Sequence, residues 1–348
     1  MTAKAVIVDS LQGKHPSRVP VALLSAGAWT FNQHDLSLED VLGQPEHGAE
    51  IIIDTSDYVR SDIVWPGSGY HNLVARALGG SIKFRRKGAI EVLAPVVQEA
   101  QASETFDLSR LAEDTGIAGL WKMAGLVEHA IGDRYLVGSS QWGPFTLAGQ
   151  LYGVERLMRS IYRDPAAVHA VVDFAAKVCY QYLLGYVQAG VEIISLAEPT
   201  ASGDMISREQ FAIFVQPALR SLVNRFHEAG VFVVVHSCGN ITNRLDLIIQ
   251  AGADLVSVDY KVDLRDAKIA ADAGHACFSG NMNPVAIMEQ GTPNIVADAV
   301  RARIATVGGD GNYVVMPGCD IPPSVPLENI RAMVDVALNT PLASVTRV

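Results

Sequence analysis

Val231-Phe232-Val233-Val234-Val235-His236-Ser237-Cys238-Gly239-Asn240 is the stretch on which the reading of the fold turns. Five apolar, mostly β-branched residues follow one another with no polar alternation. That pattern is a strand buried on both faces, as in a parallel sheet covered by helices. Residues two apart on a strand point the same way, so His236 and Cys238 project together where the strand opens into a loop. A neutral imidazole and a thiolate converging there make half of a zinc site. The candidate for the other half is Cys319, in Met316-Pro317-Gly318-Cys319-Asp320.

Outward from that strand the chain alternates regularly. Strands are expected at 135–140, 191–196, 255–258, 275–279 and 312–316. Helices are expected over 164–189, 207–229, 241–251, 264–273, 295–307 and 326–338, with Gly230 and Gly252 as stops. The earlier half is less regular. Strands are expected at 19–24 and 58–64, helices at 36–42 (capped by Ser37) and 45–55, and a helix over 109–130 broken near Gly116 and Gly119. Residues 81–107 read as an irregular excursion with short strands, and Pro66-Gly67-Ser68-Gly69-Tyr70 as an ordinary turn near a cavity mouth. Strands alternating with helices mean βαβ units, and eight strands close a TIM barrel. The expectation is one (β/α)8 barrel domain over residues 1–348, with an N-terminal extension and excursions up to about 130 and regular units over 131–340. A doubly wound open sheet is the alternative, lowered by the lack of G-x-G-x-x-G after an early strand.

The 348 residues are 49% hydrophobic and carry a net charge of -10. No basic cluster exceeds Lys83-Phe84-Arg85-Arg86-Lys87, which excludes a nucleic-acid groove and reads first as a solvated face, then as a contact for an acidic partner. Four cysteines in so long a chain do not make a disulfide framework and fit a reducing compartment. The N-terminus shows no secretory pattern and no apolar run approaches a membrane span, so a cytoplasmic protein is expected.

Function in a barrel collects at the carboxyl ends of the strands. The polar residues there are Glu198, His236, Cys238, Asp259, Asn281 and Cys319, on strands otherwise nearly all apolar. A lone histidine after a strand is usually hydrogen-bonded structure, and a lone cysteine a small buried hydrophobe. His-x-Cys at a strand end raises metal binding to an even alternative, and Cys319 sits in a Pro/Gly-rich loop just past the eighth strand. Across one mouth the three form a Cys2His set with an open fourth position, the catalytic pattern. Glu198 is a candidate ligand or a support for His236, against a plain turn before Pro199. Asp259 is a candidate acceptor for the imidazole N–H. Asn281 holds its loop or touches substrate. Trp29, Phe31, Trp65, Tyr70, Trp142 and Phe145 either line the mouth for an apolar or aromatic substrate or simply pack the core, the second being the commoner case. Cys179 and Cys277 read as core, and His275 lies at the wrong end of its strand.

Three segments resemble the uroporphyrinogen decarboxylase superfamily. Gly143-Pro-Phe-Thr-Leu-Ala-Gly-Gln-Leu151 is similar to that family's Gly-x-Pro-Phe-Thr-Leu. Gly280-Asn-Met-Asn-Pro284 is similar to its Gly-Asn-Leu-Asp-Pro, and Gly318-Cys-Asp-Ile-Pro-Pro-x-x-Pro-x-Glu-Asn-Ile330 to its Gly-His-Gly-Ile-x-Pro-x-x-Pro-x-Glu-Asn-Val. The resemblance runs from about Arg18 to Leu338 and implies the same barrel. The family's arginine-bearing Met-Arg-Gln-Ala-Gly-Arg segment is here Leu24-Ser-Ala-Gly-Ala-Trp29, without the charges that a polycarboxylate porphyrin needs. Cys319 stands where the decarboxylases have histidine. His-x-Cys with this distant cysteine is similar to the zinc signature of the cobamide-dependent methyltransferase branch. The resemblance implies zinc on His236, Cys238 and Cys319, a corrinoid carried by a partner protein, and a small methyl donor or acceptor. That acceptor would be a thiol such as coenzyme M; in reverse, the donor would be an S-, N- or O-methyl compound such as an aryl methyl ether. The alternatives are a decarboxylase-like lyase on a smaller acid and a non-enzymatic tetrapyrrole-binding module.

Overall fold

In the computed structural model, which describes residues 1–342 of the chain, the strands are β1 (Ile63–Val64), β2 (Ile82–Lys83), β3 (Glu91–Val92), β4 (Leu136–Trp142), β5 (Ile193–Ala197), β6 (Phe232–Ser237), β7 (Leu255–Val258), β8 (Cys277–Met282) and β9 (Tyr313–Pro317). Seven of them form a parallel sheet in the order β1-β4-β5-β6-β7-β8-β9. The expected first strand is no strand of its own but a short ladder that closes this sheet. The Val315 N–H donates to the Pro20 carbonyl and the Ala22 N–H to the Val315 carbonyl, each at 2.9 Å. On the other side the Asp62 N–H donates to the Val21 carbonyl at 2.8 Å. Residues 20–22 therefore bridge β9 and β1, and the curled sheet is a TIM-type barrel.

Ile63, Leu136, Ile193, Val234, Leu255, Cys277 and Val314 meet inside the barrel, where Ile7 of the helix Ala3–Leu11 plugs the amino end. The opposite faces of the same strands pack beneath the outer helices, which explains why Val231–Val235 carries no polar alternation. Arg18 and the fully buried Asp62 pin the closure. The Arg18 guanidinium donates to Asp62 Oδ2 at 2.9 Å, and the Val21 N–H donates to the same oxygen at 2.8 Å.

Several boundaries differ from expectation. The helix Pro45–Val59 runs through Tyr58 and Val59, leaving only Ile63–Val64 as strand. The helix expected to break at Gly116 and Gly119 runs unbroken over Thr115–Ile131. The break falls earlier, at Asp114, whose carboxylate accepts from the N–H groups of Gly116 and Ile117. The 207–229 helix is two helices, Arg208–Phe214 and Gln216–Glu228, because Pro217 has no N–H to continue the first. Strand β8 runs on to Met282, so Asn281 lies in the sheet rather than in the following loop. Cys277 opens β8 rather than lying mid-strand, and both it and Cys179 are buried. The 81–107 excursion is the β2–β3 hairpin plus a short 3-10 turn, and the Lys83–Lys87 run lies at its exposed tip. Among the described residues, no helix is long and apolar enough to cross a membrane.

Candidate metal centre

The register of the sheet brings the centre together. Ala197 of β5, His236 of β6 and Ser257 of β7 lie side by side at the carboxyl end. His236 is 2% exposed. Its Nδ1 stands 3.1 Å from Ser257 Oγ and its Nε2 3.1 Å from Cys238 Sγ. Cys319 arrives from the far side of the barrel, on the loop after β9. Its sulfur lies 2.7 Å from that of Cys238, beyond the 2.03–2.05 Å of a disulfide bond. Gly318 makes this approach possible. Its N–H donates to the Met282 carbonyl at 2.7 Å, and a Cβ there would fall 2.7 Å from the Tyr260 nitrogen. Gly239, at φ +89°, turns the chain sharply after Cys238 in a conformation that favours glycine.

The two sulfurs titrate as a pair. The hydrogen bond from Cys238 and the nearby imidazole hold Cys319 below the usual thiol range, against its burial, while the same contact and desolvation push Cys238 up. Next to Cys319, the solvent-exposed Asp320 accepts from the Ala26 N–H at 2.9 Å and from the Ile321 N–H at 3.0 Å.

The donor set fits a zinc ion. One nitrogen and two sulfurs lie within 4.8 Å of one another, the only such cluster among the described residues. Zinc spaces tetrahedral ligand atoms about 3.5–3.8 Å apart, so the sulfurs need to part by about 1 Å, a side-chain adjustment. The imidazole is buried and both thiols are half-buried, which leaves the sulfur side open to the mouth.

The other expected site residues make contacts of their own. Ser257, not Asp259, faces the His236 Nδ1, and Asp259 accepts from the Lys261 N–H at 2.9 Å. Glu198 is outside the ligand cluster. Its oxygens accept from the N–H groups of Phe145 and Thr146 at 2.9 and 2.8 Å, capping the helix Pro144–Tyr152, and burial pushes it up to about 7. Asn281 donates to the Val262 carbonyl at 2.6 Å and accepts from Arg303 at 3.1 Å. Trp29 and Tyr70 are buried and donate to the carbonyls of Val325 and Leu38, both at 2.8 Å. Phe31 and Phe145 are core, and Trp65 lies inside the barrel. Of the aromatic set, only Trp142 keeps partial exposure. Sequence reasoning passed over Ser257, which carries no signal of its own.

The uroporphyrinogen decarboxylase (URO-D) family model matches residues 2–339. The chain belongs to that family. Among its URO-D relatives, the methylcobamide:CoM methyltransferase MtbA of Methanosarcina mazei is 31% identical over 70% of this chain and 71% of that protein. The methylcobamide:CoM methyltransferase MtaA of Methanosarcina barkeri is 28% identical over 96% of each. A solved structure of a methyltransferase from Methanosarcina mazei superposes with a TM-score of 0.85, at 21% identity over 97% of this chain and 98% of that one, which shows the shared fold. The chain is an enzyme of the methyltransferase branch of the URO-D family.

Proposed function

We propose that this URO-D enzyme is a zinc-dependent methyltransferase that moves a methyl group between a corrinoid held by a partner protein and a small substrate. The substrate is a thiol acceptor of the coenzyme M kind or, in reverse, an S-, N- or O-methyl donor. The observation that carries the reading is the convergence of His236, Cys238 and Cys319 within 4.8 Å at the carboxyl end of the barrel. His236, Cys238 and Cys319 would hold the zinc ion, which would supply Lewis acidity to a substrate thiol, and the two protein thiolates would balance its charge so that such a sulfur stayed nucleophilic.

The chain's own residues prepare the place. Ser257 Oγ, 3.1 Å from His236 Nδ1, is placed to accept from that nitrogen when Nε2 serves as a metal ligand. Gly318 and the Asp320 carboxylate fix the loop that presents Cys319, the latter through the Ala26 and Ile321 N–H groups. Glu198 ties the end of β5 to the start of the Pro144–Tyr152 helix and keeps one side of the mouth rigid. Val233, Val235 and their neighbours hold the strand beneath in a dry core, so the site deforms little. The stretch Leu24–Trp29 offers no cation for a polycarboxylate porphyrin, and Trp29 is committed to the core.

The test is methyl transfer from methylcobalamin to small thiols by the zinc-loaded protein and by Cys238→Ala. The reading expects thiol methylation by wild type and a loss of 1000-fold or more, about 4 kcal/mol of barrel-mouth chemistry, in the variant. Equal rates in the two would overturn it.

A further inference from the structure

Tyr70-His71-Asn72 ends the loop that follows β1, at the same end of the barrel as the cysteines. Three consecutive residues of β4 hold it. Ser140 Oγ lies 2.8 Å from His71 Nε2, Gln141 Nε2 donates to the His71 carbonyl at 3.1 Å, and Trp142 Nε1 donates to Asn72 Oδ1 at 2.9 Å. The Trp142 ring also packs on the imidazole, with centroids 4.6 Å apart and planes at 59°. Leu136 belongs to the barrel interior, and the period of two puts Ser140 and Trp142 on the same inward face. The His71 ring therefore stands at the inner side of the β4 tip. Register sets Trp142 beside Ala197 and Ala197 beside His236, so this ring and the metal ligands share one level, two strands or roughly 10 Å apart. His71 Nδ1 makes no hydrogen bond among the described residues and is not sealed from solvent. Desolvation pulls the imidazole down to about 4, so it is neutral at physiological pH.

We propose that His71, backed by Ser140 and flanked by Trp142, is a second substrate contact that takes the unreactive end of the small molecule whose reacting atom lies at the cysteines. This rests on the methyltransferase reading and narrows it. The contact offers one hydrogen bond and an aromatic face, with no charge. An alcohol, ether or amide tail suits it. A carboxylate or a sulfonate, that of coenzyme M included, would meet no positive charge on this contact, at a desolvation cost, so the thiol acceptors proposed above narrow to uncharged ones. His71 is thus a positioning and specificity residue, and it sorts neutral from anionic substrates of equal length.

The experiment is calorimetric binding of 3-mercapto-1-propanol and 3-mercaptopropionate to the zinc-loaded protein, for wild type, His71→Phe and His71→Asn. Zinc content and thermal midpoint are followed in each, with kcat and KM for methylcobalamin turnover alongside. Wild type is expected to bind the alcohol at least fivefold more tightly than the acid. Phenylalanine keeps the packing on Trp142 but not the hydrogen bond. It should weaken alcohol binding about tenfold and raise KM alike, with kcat within twofold and zinc unchanged. Asparagine should restore most of the affinity. Equal binding of the two thiols by wild type, or unchanged alcohol binding in His71→Phe, overturns the proposal. So does a uniform loss of zinc, folding and kcat in both variants, the mark of a purely structural histidine. Because binding is read without turnover, a wild type that binds as expected but transfers no methyl would defeat the methyltransferase reading and leave the contact standing.

Discussion

Replacing Ser257 by alanine removes the single hydroxyl that faces His236 Nδ1. In the wild type that contact is 3.1 Å long, Ser257 is fully buried and His236 is 2% exposed, so no solvent reaches the nitrogen to substitute. The variant leaves a buried ring N–H without an acceptor, which costs about 1–3 kcal/mol. The ring is also freed to take the other tautomer, with the proton on Nε2 where the metal would bind. The two effects together predict a 10- to 100-fold rise in the apparent zinc dissociation constant, as expected when a partner behind a metal ligand is lost. The assay is competition for zinc with a chromophoric chelator, run on Ser257→Ala and on Ser257→Thr. Threonine keeps the oxygen and should stay within a few-fold of wild type. Zinc affinity unchanged in the alanine variant would refute the reasoning, because it would mean that the orientation of His236 is set by packing alone.

Other expectations follow from the same contacts. Arg18→Ala strands the buried Asp62 carboxylate at the barrel closure and should destabilise the fold by about 3–5 kcal/mol in urea unfolding at neutral pH. Gly318→Ala drives a methyl group to 2.7 Å from the Tyr260 nitrogen and should displace Cys319, lowering zinc affinity at least tenfold while the far-ultraviolet spectrum is unchanged. Burial raises Glu198 in the folded chain from 4.5 to about 7, so the folded state holds a proton that the unfolded chain releases, and stability from this group falls as pH rises from about 5 to 7. The gap in unfolding free energy between wild type and Glu198→Gln, followed in urea from pH 5 to pH 8, should therefore shift against wild type by up to about 3 kcal/mol. A gap that does not move with pH would contradict it.

How much of this could be read from the sequence depends on the element. Val231–Val235 was legible because a strand covered on both faces must be apolar throughout, and the same logic found β5, β7 and β9. Residues 19–24 and 58–64 were half legible. Their apolar content is real, but β1 keeps only two residues of ladder and the bridge at Val21 only one, because helix Pro45–Val59 takes the preceding turns. Pro217 was readable as a breaker and was passed over for the apolar periodicity on both sides of it. At the site, His236, Cys238 and Cys319 were found because cysteine and histidine at strand ends carry chemistry on their faces. Ser257 was not, since a serine in a strand looks the same whether it faces a ligand or nothing. The aromatic residues marked as a mouth lining show the converse limit. Hydrophobicity identifies Trp29 and Tyr70 as packing material, but only the structure shows that their polar tips are spent on the carbonyls of Val325 and Leu38.

The central claim is that three residues from opposite sides of the barrel hold one zinc ion. Elemental analysis of protein purified without chelator or metal-affinity tag tests it, with wild type and Cys319→Ala side by side. The account predicts about one zinc per wild-type chain, largely lost in the variant while the fold is retained. A folded wild type that carries no zinc, and takes none up when it is supplied, would contradict it.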